Sequence, residues 1–262
     1  MDATDPPEVT GFFELHRPGD PFVLPNAWDV GSARALVAEG FPAVGTTSLG
    51  VAAARGLPDA TRAAHDAVLA VTGELLAAGL GVPLTVDLED GFSDDPGAVA
   101  DLVVGLGVAG VNLEDATDGA LIDPDRHAHR IAAVKQRAPG VFVNARTDVF
   151  WVGDHDPGEA IARLRRYVDA GADGVFVPGA LDEATIESLT AAVGAPLNVL
   201  ASPAIPRTRL AELGVARIST GSLLYRSALG QAVAAARAVR DGAPLPAAPS
   251  YAEVQRLATG SG

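Results

Sequence analysis

The 262 residues carry 33 Asp and Glu against 19 Lys and Arg, a formal net charge of −14, so a nucleic-acid backbone would have to approach against the protein's own field and is excluded as a partner. The absence of cysteine excludes disulfides, thiolate metal sites and thiol catalysis, while 48% hydrophobic residues suffice for one large α/β core. No apolar stretch reaches the ~20 residues that span a membrane, and the acidic, Pro-rich Met1 to Val9 lacks the basic-then-apolar order of a secretory leader, so a cytoplasmic location is expected.

From Phe22 onward one unit recurs: a short apolar run, polar or Gly-rich residues, then an amphipathic stretch rich in Ala and Leu. Phe22 to Leu24 leads to a helix over Val30 to Glu39, and Ala43 to Thr46 to one over Arg62 to Ala78. Leu84 to Val86 precedes Pro96 to Leu106, Gly110 to Leu113 precedes Asp125 to Arg137, and Val141 to Asn144 precedes Pro157 to Ala170. The last three pairs are Gly174 to Val177 with Asp182 to Val193, Leu197 to Leu200 with Pro206 to Leu213, and Ala216 to Ser219 with Ser222 to Arg240. Gly40, Gly171 and Gly214, each just before a strand, suit left-handed helix ends. Strands apolar throughout imply burial on both faces, hence a parallel sheet under helices. Eight such units favour a single (β/α)8 barrel over about 20–240 within one domain of 1–262. A doubly wound open sheet is the alternative, but no Gly-x-Gly-x-x-Gly follows the first strand. A Pro- and Ala-rich linker, Asp241 to Pro249, leads to a last helix, Tyr251 to Thr259.

In such a barrel the strand C-termini converge on one mouth, so polar residues just after apolar runs are the candidates for chemistry. The third strand ends in Asp87-Leu88-Glu89-Asp90, the fourth in Asn112-Leu113-Glu114-Asp115 and the fifth in Asn144-Ala145-Arg146-Thr147-Asp148. Alternation along a strand puts Asp87 and Glu89 on one face beside Glu114. Converging carboxylates repel unless a cation lies between them, and an all-oxygen set suits a hard ion, Mg2+ with Mn2+ as its substitute. Acids capping the next helix would be the plainer reading of any one of them; three neighbouring strand ends favour the metal. Arg146 can clamp a planar carboxylate through two hydrogen bonds or pair with Asp148 or Glu114. The second strand runs into Gly45-Thr46-Thr47-Ser48-Leu49-Gly50, a turn whose backbone N–H groups could face an oxyanion. His16, His65, His127, His129 and His155 fall away from strand ends and read as surface residues.

At these strand ends the chain resembles the isocitrate lyase and phosphoenolpyruvate mutase superfamily, in order from Leu24 to about Arg226. The phrases are Leu24-Pro25-Asn26-Ala27-Trp28-Asp29, Thr46-Thr47-Ser48-Leu49-Gly50 with Gly56-Leu57-Pro58-Asp59, Val86-Asp87-Leu88-Glu89-Asp90-Gly91-Phe92, Gly110 to Asp115 and Asn144 to Asp148. The resemblance implies Mg2+ held, partly through waters, by Asp87, Glu89 and Glu114, with Asp59 nearby. It also implies a pyruvate-like unit held by Thr47, Ser48, Leu49 and Arg146, with Trp28 and Asn198 as further substrate-binding candidates. Catalysis would rest on Asp87, Glu114 and Arg146. The assembly implied is a homo-oligomer, tetramer or dimer, with a C-terminal helix exchanged between subunits.

The chain departs from that family in three places. It lacks the Lys-(Lys/Arg)-Cys-Gly-His loop of the isocitrate and methylisocitrate lyases, it lacks the mutase's Lys- and Asn-rich gating segment, and Pro178 stands where the mutase-like pattern has His. The expected activity is a Mg2+-dependent carbon–carbon lyase acting on a small 2-oxo or 2-hydroxy carboxylate through a metal-stabilised enolate, with the selecting acid or base unassigned. Phosphonopyruvate-type carbon–phosphorus chemistry is the alternative within enzymes, disfavoured by few cations beyond Arg146. A catalytically idle carboxylate-binding barrel is the alternative outside them.

Overall fold

The computed structural model describes residues 7–259; much of Met1 to Val9, read above for a leader, and the last three residues of the 1–262 domain lie outside it. The apolar runs form strands β1 (Phe22–Leu24), β2 (Asn26–Ala27), β3 (Val44–Thr46), β4 (Leu84–Asp87) and β5 (Gly110–Glu114), a small antiparallel pair β6 (Ala116–Thr117) and β7 (Ala120–Leu121), then β8 (Phe142–Arg146), β9 (Gly174–Val177), β10 (Leu197–Leu200) and β11 (Arg217–Ser219). Apart from β6 and β7 all pair in parallel, in the order β1-β11-β10-β9-β8-β5-β4-β3-β2. Since β1 and β2 are halves of one strand parted at Pro25, the first pairing with β11 and the second with β3, the eight-membered ring closes through them. Expectation and structure agree on the (β/α)8 barrel.

The helices are α1 (Pro7–Glu14), α2 (Val30–Ala38), α3 (Ser48–Ala54), α4 (His65–Ala77), α5 (Pro96–Leu106), α6 (Pro124–Arg137), α7 (Pro157–Asp169), α8 (Glu183–Val193), α9 (Arg207–Glu212), α10 (Leu223–Asp241) and α11 (Tyr251–Thr259). Three of them start on an Asp-Pro pair. Asp95, Asp123 and Asp156 accept the N–H groups of Gly97, Asp125 and Gly158 at 2.8–2.9 Å, while the proline occupies the first helical position, where no N–H is needed. Gly40, Gly171 and Gly214 follow their helices at φ of 83°, 104° and 82°, the left-handed geometry expected of them. The main core lies between ring and helices, built from residues such as Val86, Val111, Val143, Val175 and Leu164, all fully buried.

Several sequence expectations need correction. The stretch before Phe22 holds α1, and its Phe12 closes the barrel floor at 5.6 Å, ring to ring, from Phe142. His16 is not on the surface: it stacks on Phe142 at 3.9 Å in this floor, and burial pushes its imidazole down to about 3. His127 is likewise fully buried, edge-on to Tyr167. The turn expected at Gly45 to Gly50 becomes α3, because Thr47 caps an Ala-rich run. The helix expected from Arg62 begins at His65, since Arg62 sits at φ 62° with its N–H donated to Glu89.

The C-terminal region is barely anchored on the barrel. No residue of α10 is buried, and Leu229, Val233 and Val239 are 44–70% exposed. The chain then returns as α11, which lies against α2 of the same chain, where Arg34 donates to the carbonyls of Leu257 and Ala258. Of the expected apolar stripe only Leu257 is partly covered; Tyr251 and Val254 face outward.

Candidate active site

The end of β4 supplies the first carboxylates. Asp87 closes the strand, and the chain then turns sharply through Glu89 at φ 49°, Gly91 at 87° and Phe92 at 57°. Non-glycine residues in this left-handed region carry a strain on the order of 1 kcal/mol or more and cluster at functional sites. The turn is held by Asp90, which takes two hydrogen bonds from the Arg62 guanidinium, one from Thr117 Oγ1 at 2.6 Å and one from the Phe92 N–H at 3.1 Å. Arg62 thereby aims its own N–H at Glu89 Oε2, 2.9 Å away.

On the neighbouring strands Glu114 and Arg146 are register partners. The Arg146 guanidinium donates to Glu114 Oε1 at 2.5 Å and to Asp148 Oδ1 at 2.6 Å, so both ion pairs weighed from the sequence are formed. Behind them Asp115, with no exposed surface, accepts four hydrogen bonds: from Thr147 Oγ1 and Tyr167 OH at 2.7 Å, the Asp148 N–H at 2.8 Å and Arg163 Nη1 at 3.1 Å. This hub fixes Asp148, and Asp148 orients Arg146.

These groups open into a cavity of about 360 Å³ at the strand C-termini. Its lining combines polar residues, Thr47, Ser48, Asp59, Asp87, Glu114 and Arg146, with apolar ones, among them Trp151, Val152, Phe176, Pro178 and Leu200. Phe176 also lies under the Arg146 guanidinium, whose Cζ is 5.5 Å from the ring centroid, a cation–π contact that helps hold the group in place. At the rim stand Ser222 and Arg226, where Arg226 Nε donates to Ser222 Oγ at 3.2 Å and the guanidinium forms no ion pair among the described residues.

Acids crowd this volume. Burial, then the charges of Asp87 and Asp59, push the Glu89 carboxyl up to about 7 despite its bond from Arg62. Glu114 is raised well above the usual range by burial and by Asp87, against the pull of Arg146. Asp59 is raised by burial and by Asp87. Asp59 Oδ1, Asp87 Oδ1 and Glu89 Oε1 are buried without a hydrogen-bond partner among the described residues. Unpaired buried carboxylate oxygens are costly, and a cation shared among them would remove the cost. Among the described residues, no three His, Asp or Glu side chains are disposed to hold a metal directly. The donor set therefore fits a hard ion whose shell is completed by water rather than a closed protein cage.

Of the residues singled out from the sequence, Thr47, Ser48, Leu49, Asp59, Asp87, Glu114 and Arg146 line one cavity. Glu89 stands behind Asp87, Trp28 packs on Tyr225 at 5.4 Å, and Asn198 lies below the floor, accepting from Ser219 Oγ at 3.1 Å. Sequence reading missed Arg226 and the apolar part of the lining. A polar residue soon after β11, the rule applied to other strands, would have pointed to Ser222 and Arg226.

The chain matches the sequence profile of the family described as phosphoenolpyruvate phosphomutase over residues 12–240. An uncharacterized protein of Mycobacterium tuberculosis is 52% identical over 245 residues, 93% of this chain and 94% of that one. A 2-methylisocitrate lyase of Bacillus subtilis is 33% identical over 182 residues, 64% of this chain and 59% of its own length. A crystal structure from Burkholderia cenocepacia, assigned as a lyase or mutase without a named reaction, is 39% identical with a TM-score of 0.86, covering 95% of this chain and 94% of that one. Phosphonopyruvate hydrolase, solved with oxalate and Mg2+, shares the fold at 22% identity and a TM-score of 0.84, over 97% and 95% of the two chains. No helix among the described residues is long and apolar enough to cross a membrane.

Proposed function

Because the chain belongs to the phosphoenolpyruvate phosphomutase family, whose superfamily comprises lyases and mutases of small carboxylates, we propose that it is a Mg2+-dependent lyase. It would cleave a carbon–carbon bond of a small 2-oxo or 2-hydroxy carboxylate. The observation that carries this reading is the meeting, in one cavity, of an Arg146 clamp with buried carboxylate oxygens that have no partner. Asp87 would hold Mg2+, with Glu89 and Glu114 acting through water; the ion would supply positive charge against the negative charge that develops on the substrate's oxo oxygen.

The chain's own residues do the rest. Arg146, oriented by Glu114 and Asp148, has N–H donors left over for a substrate carboxylate. Ser48 and Leu49 begin α3, where backbone N–H groups lack helical acceptors; that of Ser48 reaches Asp87 Oδ2 only at 3.4 Å. Asp59 carries a carboxyl raised by burial and so holds a proton to higher pH than an exposed acid, at the edge of the same cavity. Buried Phe176, with Leu200 and the exposed Trp151, gives the cavity an apolar surface that would limit water at the bond to be broken once substrate fills it.

A second reading has one observation in its favour. Arg226 adds the cation that carbon–phosphorus chemistry on a phosphonopyruvate-like substrate would need. The test is a screen of pyruvate-releasing carboxylates and phosphonopyruvate, with and without EDTA. Turnover of a carboxylate that EDTA abolishes and Mg2+ restores is expected; turnover of phosphonopyruvate alone selects the second reading, and oxalate binding without any turnover selects an idle barrel.

A further inference from the structure

The strand β11 breaks its apolar run with Arg217, whose side chain has no exposed surface. Its guanidinium points across the barrel. Nε donates to Ser219 Oγ at 3.0 Å on its own strand, Nη2 reaches Asn112 Oδ1 at 3.3 Å on β5 opposite, and Nη1 has no partner. Among the described residues no carboxylate comes within 4 Å, so this is a buried cation with no ion pair. Ser219 and Asn112 both line the cavity, and Asn112 is the ladder partner of Asp87. Arg217 therefore lies directly beneath the acidic half of the site.

A charge stripped of water without a partner carries a large penalty, and a Met or Leu would fill the barrel without it. What offsets the penalty is above: Asp59, Asp87, Glu114 and Asp148 face the cavity with only Arg146 and the rim Arg226 opposing them. Left so, the cavity would attract cations and repel an anionic substrate. We propose that Arg217 is a positioning residue that acts as a fixed counter-charge under the site, holding Asn112 and Ser219 in the cavity floor while weakening cation binding and strengthening anion binding. Burial lowers its guanidinium to about 9, still charged at neutral pH, and the charge of Asp87 supports it. Arginine suits the position better than lysine because its fork reaches both floor residues at once.

The inference rests on the site being one that binds Mg2+ and a carboxylate, and its test separates the two. Arg217→Gln removes the charge and keeps hydrogen-bonding capacity; Arg217→Lys keeps the charge and loses the fork. Mg2+ is titrated calorimetrically into each protein, and oxalate is titrated at one saturating Mg2+ concentration held the same for all of them. In Arg217→Gln, Mg2+ affinity should rise and oxalate affinity fall, each on the order of tenfold, for a charge acting through the protein at a distance of several ångströms. Arg217→Lys should move both far less. Affinities that fall together, or do not move, would overturn the inference, because a structural filler has no reason to act in opposite directions. An Arg217→Gln protein that does not fold would also overturn it, by making the charge a requirement of the barrel. Should the wild type bind no Mg2+, the metal reading fails while the oxalate arm, run without the metal, still decides the role of Arg217.

Discussion

Replacing Asp115 with Asn tests whether the buried hub behind the site orients Arg146. The substitution keeps shape and one carbonyl acceptor but removes the charge that four donors now share. Arg163, its side chain 10% exposed, would keep the Ile122 carbonyl and, as its one carboxylate, Glu159, which is 40% exposed and therefore a weaker, screened partner. Taking one member from a buried charged network costs roughly 3–5 kcal/mol, and the retained carbonyl places Asp115→Asn near the lower end, about 3 kcal/mol. For a domain of this size each kcal/mol lowers Tm by about 2–4 °C, so a loss of about 6–12 °C is expected in a melt followed by circular dichroism. The Asp148 N–H also loses a charged acceptor, so Arg146 is held less firmly and oxalate affinity should fall several-fold at fixed Mg2+. A Tm within about 2 °C of wild type together with unchanged oxalate affinity would refute the argument from hub to clamp.

Three further outcomes are expected. Arg146→Lys keeps the charge but not the two-pronged geometry, so calorimetry should find oxalate affinity reduced about tenfold with Mg2+ affinity little changed; equal affinity for oxalate would make Arg146 a structural ion-pair partner only. Burial pushes His127 down to about 4 from 6.5, so the unfolded chain takes up a proton first as pH falls. Its contribution is complete above pH 6.5 and is lost progressively toward pH 4, up to about 3 kcal/mol. His127→Phe should flatten the urea-derived stability profile in that window, and an unaltered slope would dismiss the histidine as its source. Removing residues from Pro244 onward takes away α11 and, on the proposal that this helix is exchanged between subunits, should reduce the mass found by light scattering; an unreduced oligomer would leave α11 as a cover for its own α2.

The fold was legible because its signals are local and repeated. Apolar runs such as Gly174 to Val177, Asp-Pro helix starts and glycines after Glu39, Ala170 and Leu213 each state one element boundary by their own stereochemistry. The acid cluster was legible for a similar reason, since Asp87, Glu114 and Arg146 all end successive strands, Glu114 and Arg146 in register with each other and Asp87 level with Asn112. What escaped depends on contacts between distant segments. His16 reads as a surface residue, and Phe12 precedes the first repeat unit, until the fold brings Phe142 against both. His127 lies on an amphipathic helix whose sequence does not say how deep its inner face goes. Arg217 hides in an apolar strand, although its alternation with Ser219, and Asn198 beside it in the ladder, is the period-two trace of a polar barrel interior. Arg226 escaped because the rule that polar residues follow strand ends was not carried past β11.

That closure has a kinetic side. The halves of the first strand must find partners at opposite ends of the chain, and the seam is fastened where the Asn26 N–H donates to Thr220 Oγ1 and the Gly221 N–H to Asn26 Oδ1, contacts 194 and 195 residues apart. Pairings so remote in sequence form slowly and late, after the loop-closure entropy has been met by everything between them. Because Asn26, Ser219 and Arg226 also line the cavity, the pocket exists only when the seam is shut. A ligand present at a hundred times its Kd would therefore hold the barrel closed by about 2.7 kcal/mol. Amide exchange at Asn26 and Gly221 would slow on ligand binding ahead of the rest of the sheet, so the same stitches that finish the fold also report that the site is filled.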